Sequence, residues 1–188
     1  MINRKCNVRT SQLVKPVTEP AFIPLQIAVL TISDTRKEAD DVSGKLLCEL
    51  LTADGHLNCE KAIVRDDKYE IREVVSRWIR DPAVNVVLTT GGTGITGRDG
   101  TPEAIKPLLD KEIEGFGEMF RVLSYDDIKT STLQSRTLSG VANSTYLFVL
   151  PGSSGACRLG YEKIISAQLD NRTRPCNLVM LMPRLNEV

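Results

Sequence analysis

A single histidine, His56, serves the whole 188-residue chain, and the five cysteines, Cys6, Cys48, Cys59, Cys157 and Cys176, contain no Cys-x-x-Cys pair. That scarcity excludes zinc-ligand spacing. One histidine in a helix-to-strand turn after Gly55 also assembles no Ser/His/Asp or Cys/His catalytic pair. Cys48, among Leu46, Leu47, Leu50 and Leu51, reads as a buried thiol rather than a nucleophile. Net charge is equally absent. Twenty-four basic residues balance twenty-four acidic ones, so no global field recruits nucleic acid or an anionic membrane, and the expected partners are small molecules. No apolar run approaches the roughly 18 to 20 residues that cross a bilayer, and the N-terminus has no apolar signal-peptide core, so the expected location is cytoplasmic. Neither a Walker A loop nor a Gly-x-Gly-x-x-Gly opening the first βα unit is present, which removes ordinary P-loop ATPases and dehydrogenases.

What is present is Leu88-Thr89-Thr90-Gly91-Gly92-Thr93-Gly94-Ile95-Thr96-Gly97-Arg98-Asp99-Gly100-Thr101-Pro102-Glu103. An apolar strand (Val84, Val86, Val87, Leu88) runs into a glycine-rich turn and then a proline-initiated helix with Thr101 as its cap. Glycines let backbone N–H groups approach an anion, and a helix N-terminus favours negative charge. Asp99 adds a metal ligand. The same glycines also suit a plain strand-to-helix connection, and both readings stand at this level.

A composition of 41% hydrophobic and 26% charged residues fits one globular domain. Residues 1–22, basic and without a periodic apolar face, read as a flexible extension, leaving 23–188 as a single α/β domain. Within it the pattern predicts a strand over 27–32, a helix over 43–54 capped by Ser43, a strand over 57–64 and a helix over 68–80. In the last of these Ile71, Val74, Val75, Trp78 and Ile79 form one buried stripe. Ile105, Leu108 and Leu109 mark another helix, as do Phe116, Met119, Phe120 and Leu123. Strands over 135–141 and 145–150 flank a turn at Ala142-Asn143-Ser144. Pro151-Gly152-Ser153-Ser154-Gly155 leads into a helix bearing Tyr161, Ile164, Ile165 and Leu169, and a final strand is expected over 178–182. Strands alternating with helices imply right-handed βαβ units, a mostly parallel sheet and helices on both faces. Ligands of such sheets bind beyond the carboxyl ends of the strands.

Four loops at those ends carry chemistry: Ser33-Asp34-Thr35 with Asp40-Asp41-Val42-Ser43-Gly44, Arg65-Asp66-Asp67, residues 91–102, and residues 151–155. Asp66 and Asp99 beside anion-binding turns suit a magnesium-bound polyphosphate, because acids that face phosphates need a cation between them. The plainer reading of Asp66 and Asp67 is a helix N-terminus, where capping and the dipole favour aspartate.

These residues resemble the MoaB/MogA family of molybdenum cofactor biosynthesis proteins over about residues 23–182. The resemblance rests on Thr31-Ile32-Ser33-Asp34, Asp41-Val42-Ser43-Gly44, the 88–94 segment, Arg98-Asp99-Gly100-Thr101-Pro102-Glu103-Ala104, Gly115-Phe116-Gly117-Glu118, Leu133-Gln134-Ser135-Arg136 and Leu150-Pro151-Gly152-Ser153. Gly-Phe-Gly-Glu, the Ser-Arg step and Ala156-Cys157-Arg158 look closest to MoaB. The resemblance implies a three-layer α/β/α molybdopterin-binding fold, a trimer or hexamer, and, for active members, adenylylation of molybdopterin by Mg2+-ATP with release of pyrophosphate. It places Asp66 and Asp99 at magnesium and ATP as the catalytic pair. Gly91, Gly92, Thr93 and Gly94 become the phosphate cradle, and Ser33, Asp34, Asp41, Ser43, Ser135, Arg136, Gly152 and Ser153 the lining of the pterin or nucleotide pocket. Arg98 and Arg136 become the counter-charges. The alternative is a non-catalytic molybdopterin-binding or carrier protein.

Overall fold

The computed structural model describes residues 20–187. Six strands form one sheet in the order β2-β1-β3-β6-β5-β4. These are β1 (Gln26–Ile32), β2 (Leu57–Val64), β3 (Val86–Thr90), β4 (Lys111–Glu112), β5 (Leu138–Ala142) and β6 (Thr145–Leu150). The first four in that order run parallel, and β5 and β4 are added antiparallel through a hairpin. The hairpin turn holds Asn143 and Ser144, both at positive φ (45° and 68°), as a two-residue turn matched to strand twist requires.

Alternation along the central strands divides the core into two layers, because successive side chains point to opposite faces. Ile27, Val29, Val86, Leu88, Tyr146, Phe148 and Leu150 face one side. There they meet Leu47 and Leu51 of α1 (Val42–Ala53), Phe116 and Phe120 of α4 (Glu114–Ile128), and the run from α5 (Ser154–Gly160) through a π-helical turn (Tyr161–Ile165) to α6 (Ser166–Leu169). Ala28, Leu30, Val87, Leu147 and Val149 face the other side, against Ile71, Val75 and Trp78 of α2 (Lys68–Arg80) and Ala104 and Ile105 of α3 (Thr101–Ile105). The three layers match the fold read from the sequence, and the α2 boundaries coincide with it.

Several local readings are corrected. Residues 178–182 form no strand, because the chain there turns into a 3-10 helix, Val179–Arg184. Ser43 is not the α1 cap. Asp41 is, its Oδ1 accepting the Gly44 N–H at 2.9 Å. Thr101 is the first residue of α3 and not its cap: Gly100 holds the cap position and the Thr101 hydroxyl accepts no N–H. Strand β5 begins at Leu138, because Arg136 donates its backbone N–H to Thr93 of the glycine loop instead of to a neighbouring strand.

Of the expected extension, residues 1–19 lie outside the described residues. Ala21 and Phe22, by contrast, are anchored. Asn171 accepts the Ile23 N–H and donates to the Ala21 carbonyl, each at 2.9 Å. The Phe22 ring lies between Arg172, 5.0 Å from the ring centre, and His56, 5.1 Å away. His56 is buried, and its Nδ1 accepts the Leu25 N–H at 3.2 Å. Burial holds its pKa below the ordinary 6.5, against the opposing pull of Asp54 and Asp170. The unfolded chain therefore takes up this proton first, and stability falls as pH drops below about 6.5. Urea titrations between pH 7.5 and 5 should show that fall in the wild type and a flatter dependence in His56→Asn; identical slopes would mean that His56 is not its source.

Candidate functional site

The sheet registers pair Thr31 with Thr90, and Thr90 with Leu150. Three chains therefore leave the sheet level with one another, and their loops meet over its carboxyl edge. The loop after β3 is the tightest of them. Gly91 donates its N–H to the Leu150 carbonyl at 3.0 Å. It sits at φ 109°, where a Cβ would overlap the carbonyl oxygen of Ile32. Gly92, at φ 62°, faces the Thr101 hydroxyl, and a Cβ there would stand 2.6 Å from Asp66 Oδ2. Both positions demand glycine for conformation and for space.

Arg136 holds this loop from the side. Its Nε donates to Gly94 O at 2.7 Å and its Nη2 to Asp99 O at 2.8 Å, while Nη1 pairs with Glu103. Asp99 folds back within the loop, its Oδ2 accepting the Thr96 N–H at 2.9 Å and the Thr96 hydroxyl at 2.6 Å. The Thr96 hydroxyl keeps the Asp99 pKa below the usual carboxylate value. Asp66 behaves oppositely. Burial raises its pKa, and the negative charges of Asp99 and Asp34 raise it further, against the Gly100 N–H, 3.1 Å from Oδ1, and Arg98.

A cavity of about 840 Å³ opens above these loops. Of the residues singled out in the sequence, Ser33, Gly91, Gly92, Thr93, Gly94, Asp99, Ser135, Gly152 and Ser153 line it. The Ser135 Oγ is buried with no protein partner, a state that costs about 1–3 kcal/mol unless a ligand or water satisfies it. Ser153 caps α5, accepting the Ala156 N–H at 3.2 Å, and its hydroxyl proton is left to donate elsewhere.

Six of the singled-out residues do not line the cavity. Asp41 is fully buried away from it. It takes the Thr31 hydroxyl at 3.0 Å and the Lys61 ammonium at 2.7 Å besides capping α1. Burial opposes its charge, but Lys61, the Gly44 N–H and Thr31 together hold its pKa low. Ser43 is buried against Arg36, whose Nη1 donates to its Oγ at 2.6 Å. Asp34 and Arg98 pair with each other at 2.6 Å. Arg136 is consumed in clamping the loop, so neither arginine is the free counter-charge expected of it. Asp66 stands against Gly92 without itself reaching the cavity wall. Sequence reasoning missed Arg36, Ser124, Asp127 and Gln134, which line the cavity. Arg36 lies in a mixed-charge stretch, Arg36-Lys37-Glu38, with no periodic signal; Ser124 and Asp127 continue the Phe120 face of α4 toward its C-terminus, beyond the apolar residues that marked the stripe.

Among the described residues no group of three or more His, Cys, Asp or Glu side chains is placed to hold a metal ion. No helix among them is long and apolar enough to cross a membrane.

Residues 28–171 match the family described as "Probable molybdopterin binding domain". The Escherichia coli K12 molybdenum cofactor biosynthesis protein B is 56% identical over 156 residues, 83% of this chain and 92% of that protein. The chain belongs to the MoaB family of molybdenum cofactor biosynthesis proteins. Solved relatives share the fold. A crystal structure of a molybdenum cofactor biosynthesis protein B superposes with a TM-score of 0.81 at 45% identity, covering 88% of this chain and 99% of the other. The tungsten cofactor synthesizing protein MoaB from Pyrococcus furiosus does so at 0.69 and 39%, covering 76% and 91%.

The burial of Asp41 makes it a fold residue in this MoaB-family chain. Asp41→Ala removes a helix cap and leaves Lys61 without its buried partner, so it should cost about 3–5 kcal/mol and lower Tm by about 10 °C. Thermal melting reads this directly; a normal melt with lost ligand binding would return Asp41 to the pocket.

Proposed function

We propose that this chain adenylylates molybdopterin with Mg2+-ATP. The observation that carries the reading is the pair of carboxylates set against one glycine loop, Asp66 at Gly92 and Asp99 at Gly94, each 2.6 Å from where a side chain on that glycine would begin. Asp99, on the cavity wall, and Asp66, set behind Gly92, would hold the magnesium at the margin of the cavity. Two acids suffice, since this ion keeps several waters and completes its shell with substrate phosphate oxygens. Part of the upward pKa shift of Asp66 comes from Asp99 and Asp34, a crowding of negative charge that a cation relieves. When bound, the ion supplies positive charge against the triphosphate.

The reaction asks little else of the protein. An oxygen of the pterin phosphate forms a bond to the α-phosphorus of ATP. The bond from that phosphorus to the bridging oxygen breaks, and pyrophosphate leaves with the electron pair. The attacking phosphate is already anionic, so no general base is needed, and a chain with one buried histidine meets the requirement by alignment and charge. In this reading the 91–94 backbone cradles the ATP phosphates. The 151–155 turn, with the free proton of the Ser153 hydroxyl, receives the pterin phosphate, and Ser135 Oγ finds its missing partner in the bound ligand.

Incubation with ATP, magnesium and molybdopterin should yield adenylylated pterin and pyrophosphate. Asp66→Ala and Asp99→Ala should each lower turnover by about a hundredfold, the scale of removing a key electrostatic contact, with the fold retained by circular dichroism. Wild-type turnover in either variant sinks the assignment. Pterin binding without product in the wild type would favour the carrier alternative.

The reading includes a homo-oligomer, trimer or hexamer. Phe116 and Phe120 are core residues, but Met119 and Val122 on α4 are 52% and 71% exposed. Sedimentation should show an assembly at micromolar concentration, and a stable monomer would end the idea.

A further inference from the structure

Five arginines surround the carboxyl edge of the sheet, and acids neutralise four of them, Arg65 pairing with Glu70. Arg98 pairs with Asp34, Arg136 with Glu103 and Arg158 with Glu162. Arg36 is the exception. It is half-buried on the loop after β1, and no carboxylate pairs with it among the described residues. Its Nη1 donates to Ser43 Oγ at 2.6 Å, and both Nη1 and Nη2 donate to the Gly152 carbonyl at 3.2 Å. Those partners are neutral, so they fix the guanidinium plane without cancelling its charge. The bonds use Nη1 and Nη2 and leave Nε.

The cavity lining sharpens the point. Among the described residues its charged side chains are Arg36, Asp99 and Asp127, so Arg36 is the only cationic side chain of that lining. A phosphate monoester carries about −1.5 to −2 charges near neutral pH, and it is repelled wherever Asp99 or Asp127 is the nearest charge. Among the charged side chains of the lining, the attraction comes from the end formed by Arg36, Gly152 and Ser153. Asp99, beside the glycine loop, suits instead a polyphosphate that arrives with its own divalent cation.

We propose that Arg36, held against Gly152 at the mouth of the 151–155 turn, is the anion-binding residue for the phosphate monoester of the second substrate, and that its unpaired charge decides which end of the cavity that substrate occupies. Under the proposed function this monoester is the one on molybdopterin, and the inference rests on that reading for the identity of the ligand alone. Arg36 also ties the loop after β1 to the turn after β6, so the guanidinium that meets the phosphate is the same group that holds the two walls together.

The full-length wild type, Arg36→Lys and Arg36→Gln are titrated with three probes: molybdopterin, its dephosphorylated form and inorganic phosphate. Arg36→Gln should lose about tenfold to a hundredfold in affinity for molybdopterin, the scale of a hydrogen bond to a charged group. The dephosphorylated pterin should bind wild type and Gln variant alike. Arg36→Lys should fall between them, and the salt dependence of molybdopterin binding should flatten in the Gln variant. Unchanged affinity in Arg36→Gln, or an equal loss for phosphorylated and dephosphorylated pterin, overturns the proposal; the second result would mark Arg36 as a purely structural tie between the loops. If the wild type binds inorganic phosphate in an Arg36-dependent way but does not bind molybdopterin, the anion site stands and the adenylylation reading falls.

Discussion

The loop after β3 leaves the sheet between the ends of β1 and β6, and the cavity depends on how closely those three backbones approach at Gly91. The Gly91 N–H is held by Leu150 and its α-carbon lies against the Ile32 carbonyl, with Gly152 close by from the other side. Parallel pairing brings the strand ends level, but it does not bring the loops into contact. The absence of a side chain does. With that contact made, Gly92 can turn back beneath Asp66, Thr101 can tie the start of α3 to the same loop, and Arg136 can reach across to two of its carbonyls. The site is thus a set of backbone contacts with a few carboxylates added, which is what a polyphosphate ligand requires.

The parts of this fold that could be read from sequence are those in which one residue type repeats at a structural period. Trp78 and its neighbours recur at helical spacing, and α2 appears where that spacing places it. Ile27 to Ile32 and Val86 to Leu88 are nearly continuous apolar runs, as strands covered on both faces must be. The 178–182 segment shows the limit. Leu178, Val179, Leu181 and Met182 look like a strand, yet all sheet positions beside β6 are taken by β3 and β5. The segment packs as a 3-10 helix against the sheet face instead, with Val179 buried and Leu178 and Met182 beside it.

The same limit governs the site. Sequence identified the loops because glycine clusters and strand-end aspartates are local features. It did not identify which charges would be spent on one another. Asp41 and Asp34 are alike in sequence, each an acid shortly after β1, but Lys61 on β2 comes to the first and Arg98 on the glycine loop to the second. Arg98 and Arg136 sit in the most informative motifs and are bound up in holding them, whereas Arg36 sits in an uninformative stretch and keeps its charge. Zero net charge over the chain hides this partition. What matters to an anion is the local excess left after pairing.

The clasp on residues 21–25 has a practical side. It lies before β1, at the amino edge of the sheet, and Asn186 near the other end of the chain bonds Ser144 at that same edge. The cavity opens at the opposite edge, about 20 Å away along the seven residues of β1 at strand rise. A label or tether attached at Phe22 or at Asn186 would therefore start at the edge of the sheet away from the ligand entrance.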